Sequence, residues 1–323
     1  MARNPIAAPD RLAARSDLSV SQADRAPLCT VNDLLWLLYL YPFRLLSVLV
    51  PRAFIDWMGK PAELWVQFRW RRRREKAIPW IVSVCGCTTD QAGRIARQSI
   101  SNDVFRQLDD LVLLRPPHRQ RLQCTGIEGI QHVNQAVAAG KGVILLTAHF
   151  CVTRIAVRYL ATLGYRVLSV QKQSPRKPSE GRLGHVLRRR YVKLRRQSNP
   201  DVVDIQDAEC SLKILQRLRS GGLVHMHVDA LSAKTAVEGP FLGVPWRFPA
   251  GVLDIVRLSG CAVVPMLCLG RSTGFRIRFS PMLRVVRAPS REEFLNANLP
   301  AFTEVFERQI ADHPEQWRLW PWR

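Results

Sequence analysis

His149 stands in Leu145-Leu-Thr-Ala-His-Phe150, just after the apolar run Gly142-Val-Ile-Leu-Leu-Thr147. That run reads as a strand buried on both faces. Open α/β sheets gather ligands outside the carboxyl ends of their strands, which is where this histidine falls. An imidazole titrates near neutral pH, so it could take the proton of a hydroxyl about to act as nucleophile. A second cluster lies in the predicted strand Leu223 to Val228, where His225, His227 and Asp229 alternate and so share a face. Two imidazoles and a carboxylate could bind Zn²⁺ or Fe²⁺, but no further ligand is evident.

Basic and glycine-rich segments supply the other candidates. Arg188, Arg189 and Arg190, with Lys193, Arg195 and Arg196, form a run whose guanidinium forks could hold a phosphate, or could be a solvated helix face. Gly239-Pro-Phe241-Leu-Gly243 and Phe248-Pro-Ala-Gly251 suit a loop beside substrate. Gly243 and Gly251 remove side chains where the backbone turns or approaches a ligand, and a plain loop entering a helix fits equally. Of eight cysteines, only Cys85 and Cys87 are close in sequence, and no second pair stands at zinc-ligand spacing. Several others sit inside apolar runs, as reduced core residues of a cytosol-facing protein would.

The elements that must position these residues begin near residue 125. Helical periodicity over Gly129 to Ala139 precedes the strand before His149. A helix from Arg154 to Leu163, a strand Arg166 to Val170, a helix Ala208 to Arg219, a helix Val252 to Leu258 and a strand Cys261 to Met266 continue the alternation. Such a pattern predicts an α/β fold with helices on the faces of a sheet. Upstream, residues 1–30 read as a mobile leader. Leu34 to Val50 is apolar but interrupted by Pro42 and Arg44, which suits an uncleaved anchor, an interfacial helix or a buried helix. Arg69-Trp-Arg-Arg-Arg-Arg74, preceded by Trp65 and Phe68, suits an anionic membrane surface or a solvated helix face. The expected organisation is thus a leader (1–30), a membrane-associating helical segment (31–76) and an α/β domain (77–323). Lys and Arg number 48 against 26 Asp and Glu, a formal charge of +22, so the partners should be acidic.

Three blocks of this sequence resemble the bacterial lipid A late acyltransferases, within the lysophospholipid acyltransferase superfamily. The first is Gly126-Ile-Glu128 with Gly140 to Phe150. The second runs through Val228-Asp229, Gly239 to Gly243, Phe248 to Gly251 and Gly260 to Pro265. The third is the Trp-rich end, His313 to Arg323. The resemblance implies a glycerolipid acyltransferase-like fold with a central mixed sheet, and attachment to the cytoplasmic face of a bacterial inner membrane. It implies an acyl thioester donor (acyl carrier protein or acyl-CoA), a lipid-like acceptor, and neither cofactor nor metal. In the family's His-x4-Asp/Glu motif the histidine is the general base and the acid orients it. Carried over, the base is His149 and the acid position falls on Arg154, which cannot accept an imidazole N–H. Asp229, at an acidic position of the second block, is the first substitute, ahead of Asp207 and Glu209. Arg154, Arg188, Arg189, Arg190, Phe241, Gly243 and Gly251 become the expected substrate contacts.

Two readings follow from Arg154. Either the chain is an enzyme with a substitute acid, or it is a non-catalytic relative that binds lipid or acyl carrier. A carboxylate within reach of His149 favours the first; a ring among cations and apolar groups alone favours the second. A nucleic-acid partner rests on charge alone and lacks a recognition motif, so none is expected.

Overall fold

The computed structural model describes residues 27–115, 122–172, 181–198, 201–230 and 235–320. The expected leader lies almost wholly outside the described residues. Two compact units emerge: one from residues 1–46 with 174–195, the other from residues 47–173 with 196–323.

In the smaller unit, α1 (Val31–Leu38) runs through a π-turn (Tyr39–Phe43) into α2 (Arg44–Leu49). Pro42 lies inside that π-turn. Proline has no N–H to donate, so the ladder widens by a residue where a regular helix would lose a bond. Among the described residues, no helix is long and apolar enough to cross a membrane.

The larger unit opens with three helices: α3 (Arg52–Arg69), α4 (Arg71–Cys85) and α5 (Thr89–Leu113). Then β1 (Cys124–Glu128), α6 (Ile130–Ala138), β2 (Val143–Thr147), α7 (Thr153–Thr162) and β3 (Val167–Gln171) follow. Helix α8 (Arg182–Ser198) lies mostly in the smaller unit, and β4 (Val202–Asp204), α9 (Cys210–Arg219) and β5 (Leu223–His227) return to the larger one. A hairpin of β6 (Ala236–Phe241) and β7 (Val244–Pro249) leads to α10 (Ala250–Ser259), β8 (Ala262–Arg271), β9 (Gly274–Phe279) and α11 (Arg291–Asp312). The main sheet is mixed, in the order β1-β9-β8-β2-β5-β3-β4, with β8–β9 its antiparallel pair.

Strand β2 is at the centre of this order and wholly buried. Its side chains alternate between two cores, as the strand period of two requires. Ile144 and Leu146 join a core with α9, α10, α11 and the C-terminal tryptophans, while Val143 and Leu145 join one with α6 and α7. All eight cysteines are free. The predicted helices and strands are present with ends shifted by one or two residues, and β8 extends five residues beyond the predicted Met266. The strands β1, β4, β6, β7 and β9 are not among those predicted, although Phe275, Ile277 and Phe279 alternate inward along β9.

Gly142 delivers the chain into β2. Its φ is +73°, and a Cβ there would lie 2.4 Å from the carbonyl oxygen of Leu218. Its own carbonyl accepts from Ala262 N at 3.0 Å, joining β2 to β8. Gly142→Ala should therefore destabilise the fold by at least about 2 kcal/mol in urea denaturation. Gly251→Ala, with open space around its Cβ in the first turn of α10, should be neutral or stabilising by up to about 1 kcal/mol. Equal effects at the two sites would contradict this account.

Candidate active site

Parallel strands β2 and β5 pair in register, with Thr147 opposite His227. The pairing continues one step further, Val228 N donating to Thr147 O at 2.9 Å. Two residues beyond each register partner lie His149 and Asp229, so the sheet itself brings them side by side at its carboxyl edge. His149 Nδ1 is 2.6 Å from Asp229 Oδ1, and His149 N donates to Oδ2 at 2.9 Å. A third donor, Trp317 Nε1, reaches Oδ2 at 2.7 Å. Asp229 is fully buried, whereas the His149 side chain is 18% exposed.

Burial by itself would raise the Asp229 carboxyl. The charge and two hydrogen bonds of His149, with the Trp317 N–H, outweigh burial and hold it below the ordinary carboxylate value. An ionised carboxylate can only accept, so Nδ1 carries a proton in either charge state of the ring, and in the neutral imidazole Nε2 keeps its lone pair. Among the described residues, no hydrogen bond engages Nε2.

The chain's last segment locks this pair. Phe150 and Trp317 form an isolated antiparallel bridge, and Arg318 N donates to His149 O at 3.2 Å. Ser99 Oγ donates to Trp317 O at 2.8 Å, tying the segment to α5. Around the Trp317 indole pack Trp80, Phe241, Trp246 and Trp320. Trp317 is the residue that sequence reasoning missed. Its block was noticed as a signature, but nothing in the sequence says which tryptophan faces Asp229.

Arg154, at the family's acid position, turns to α5, where it pairs with Asp110 at 2.6 Å. Arg106 bridges Asp110 and Asp103 at 3.7 and 2.9 Å, and Arg318 approaches Asp103 at 3.6 Å. The cations near His149 are thus held by acids seven residues apart on one face of α5, a pair the sequence reading did not single out. Asp207 and Glu209 are exposed, and Glu209 pairs with Lys213 at 3.1 Å.

The expected contacts of the second block fall on the β6–β7 hairpin and the start of α10. Phe241 is fully buried among Trp246, Phe248 and Trp317, where it packs behind the Trp317 indole. Gly243 forms the two-residue turn of the β6–β7 hairpin with Leu242, both at positive φ, as a primed turn requires. Gly251 starts α10. Arg188, Arg189 and Arg190 lie on α8 in the smaller unit, where Arg188 stacks over Trp36 at 5.2 Å and the other two are exposed.

Beside His149 lie two further histidines, His225 buried and His227 partly buried. The His227 ring is 4.3 Å from that of His149, and His225 meets His227 edge-on at 4.9 Å. His225 Nδ1 is 3.1 Å from Ser169 Oγ, and its Nε2 has no hydrogen-bond partner among the described residues. Among those residues, no three His, Cys, Asp or Glu side chains are grouped to hold a metal ion.

An imidazole held by a carboxylate at a sheet's carboxyl edge could serve as base in several reactions; similarity to known proteins narrows the choice. The profile of the bacterial lipid A biosynthesis acyltransferases matches residues 34–321. The chain belongs to that family. Two relatives, phosphatidylinositol mannoside acyltransferases from two strains of Mycobacterium tuberculosis, are each 25% identical to it over 195 residues. The match covers 60% of this chain and 58% of theirs, less than two thirds of the relatives' length. In this chain the carboxylate beside the histidine is Asp229, and residue 154 is an arginine paired with Asp110.

Burial and the charge of His149 press the His225 pKa down to about 3, and burial with several nearby cations presses His227 well below its ordinary value. An unfolded histidine takes a proton below about pH 6.5, whereas folded His225 stays neutral. Unfolded chains then bind more protons, so stability falls as pH drops below 6.5. His225 alone should remove about 2 kcal/mol between pH 6.5 and 5. Asp229 acts lower, losing its contribution as pH falls through its depressed pKa. Urea denaturation of His225→Asn should show a shallower pH slope; an unchanged slope would contradict the burial of a neutral ring.

Proposed function

We propose that this chain transfers a fatty acyl group from an acyl thioester to a hydroxyl or amine of a lipid or lipid-like acceptor at a membrane surface. The observation that carries the reading is the 2.6 Å contact between His149 Nδ1 and Asp229 Oδ1. His149 Nε2 takes the acceptor proton as the acceptor oxygen (or nitrogen) bonds to the thioester carbonyl carbon. Asp229 holds Nδ1–H and stabilises the imidazolium that forms, as a buried aspartate does in serine proteases. When the C–S bond breaks, the imidazolium returns its proton to the leaving thiolate. No cofactor enters this scheme.

The donor is acyl carrier protein or acyl-CoA, and the setting is the cytoplasmic face of a bacterial inner membrane. A net charge of +22 suits both an acidic carrier and anionic lipid. Arg154 is bound to Asp110 through one terminal nitrogen and is 24% exposed, so its remaining N–H groups are offered to a phosphate of donor or acceptor. Arg188, Arg189 and Arg190 serve the same purpose on their own unit. The alternative reading, a non-catalytic binder, draws on Arg154 at the motif's acid position. It also needs a histidine without a carboxylate partner, and the pairing with Asp229 speaks against that.

The test is acyl transfer from acyl carrier protein thioesters by the purified full chain. Wild type should turn over and His149→Ala should not. Asp229→Asn should lose about 10²–10⁴ in kcat with little change in KM. Arg154→Glu should gain nothing, because it sets a second acid against Asp110. A wild type that binds donor but never transfers the acyl group would overturn the proposal in favour of the binder.

A further inference from the structure

Helix α3 is fixed by one face and bare on the other. On the fixed face, Arg52 pairs with Asp56 at 3.1 Å and with Asp109 of α5, and Arg271 reaches Asp56 at 2.7 Å. Gly59 allows close packing, since a Cβ there would meet Leu108 Cδ1 at 2.5 Å and the Phe105 ring at 3.0 Å. Further along, Gln67 Nε2 donates to Arg97 O at 2.7 Å.

Phe54, Trp57, Leu64, Trp65 and Phe68 all point away from these contacts. Successive helix residues turn by about 100°, so the five fall within an arc of about 100°. Their exposures run from 43% for Phe54 to 78% for Phe68. Large apolar side chains gathered in one stripe on a rigid element mark a surface that meets something other than water. Exposed Arg69, Arg71, Arg72 and Arg73 follow at the same end as Trp65 and Phe68, with Glu75 paired to Arg71.

We propose that this face of α3 docks on an anionic bilayer, the helix lying in the plane of the interface with the arginines at headgroup depth. The inference rests on the reading of the acceptor as a membrane lipid, and it names the surface that brings the enzyme to that lipid. Indole and phenyl rings beside a basic run match the boundary between acyl chains and phosphates. Asp56, Lys60 and Glu63 on the same helix forbid it to cross. A second copy of the chain is the poorer occupant, because it would carry the same charge of +22 towards this arginine run.

The experiment is flotation of the full chain with phosphatidylcholine vesicles, with and without phosphatidylglycerol. Wild type should float with the anionic vesicles and release in high salt. Trp57→Ser/Trp65→Ser/Phe68→Ser should weaken partition by at least about 100-fold. The matched change Leu37→Ser/Tyr41→Ser/Leu45→Ser, in the other exposed apolar segment, should weaken it less. All three positions on α3 are exposed, so the melting temperature should hold and report any misfolding. Failure of wild type to float, or equal flotation of the α3 variant, overturns the proposal. So does a light-scattering mass that drops from dimer to monomer in that variant, which assigns the face to self-association. His149→Ala should float like wild type, so loss of transfer and loss of docking are read separately.

Discussion

An imidazole can accept a proton at Nε2 only while Nδ1 keeps its own, and here a buried carboxylate decides which nitrogen does so. Asp229 is fully buried and receives three hydrogen bonds, two from His149 and one from Trp317. A carboxylate withdrawn from water would otherwise protonate, so these donors keep it ionised. Much of the surrounding structure exists to hold that arrangement. The β2–β5 register sets the two residues opposite each other, the C-terminal bridge at Phe150 delivers the indole, and the aromatic cluster around Trp80 and Trp246 holds the indole in place.

The same geometry explains how a chain of this family can carry arginine where the motif has an acid. On the proposed reading the orienting carboxylate comes from the end of the neighbouring strand, which leaves residue 154 to another part. Its guanidinium is directed to Asp110, and Asp103 and Asp110 together bind Arg106, Arg154 and Arg318. Breaking one partner of such a buried network leaves an uncompensated charge, which costs more than the pair contributes when intact. On the proposed reading, this acid ladder on α5 keeps the cations beside His149 directed away from the ring.

Much of the fold was legible because apolar runs and periodic helices carry strong patterns. Gly142 to Thr147 and Leu223 to Val228 could hardly be anything but buried strands. His149 was legible from its place after the first of these, and Asp229 from its place after the second. What the sequence could not express was register: the pairing of Thr147 with His227 is a tertiary fact, and it makes neighbours of residues 80 positions apart. Phe241 shows the same limit: a phenylalanine in a glycine-proline loop gives no sign in sequence of its burial against the tryptophans. Asp110 left no signal, since a carboxylate on a long amphipathic helix looks like any solvated one.

The central claim is that Asp229 fixes His149 as the tautomer protonated at Nδ1, leaving Nε2 as the base. Nitrogen-15 NMR of the histidine-labelled full chain, with His149→Gln used to assign the resonance, reads this directly at neutral pH. The account predicts an Nδ1–H signal shifted far downfield by the short bond, an Nε2 shift characteristic of an unprotonated nitrogen, and loss of both in Asp229→Asn. A His149 protonated at Nε2 in the wild type, or a spectrum indifferent to Asp229→Asn, would contradict it.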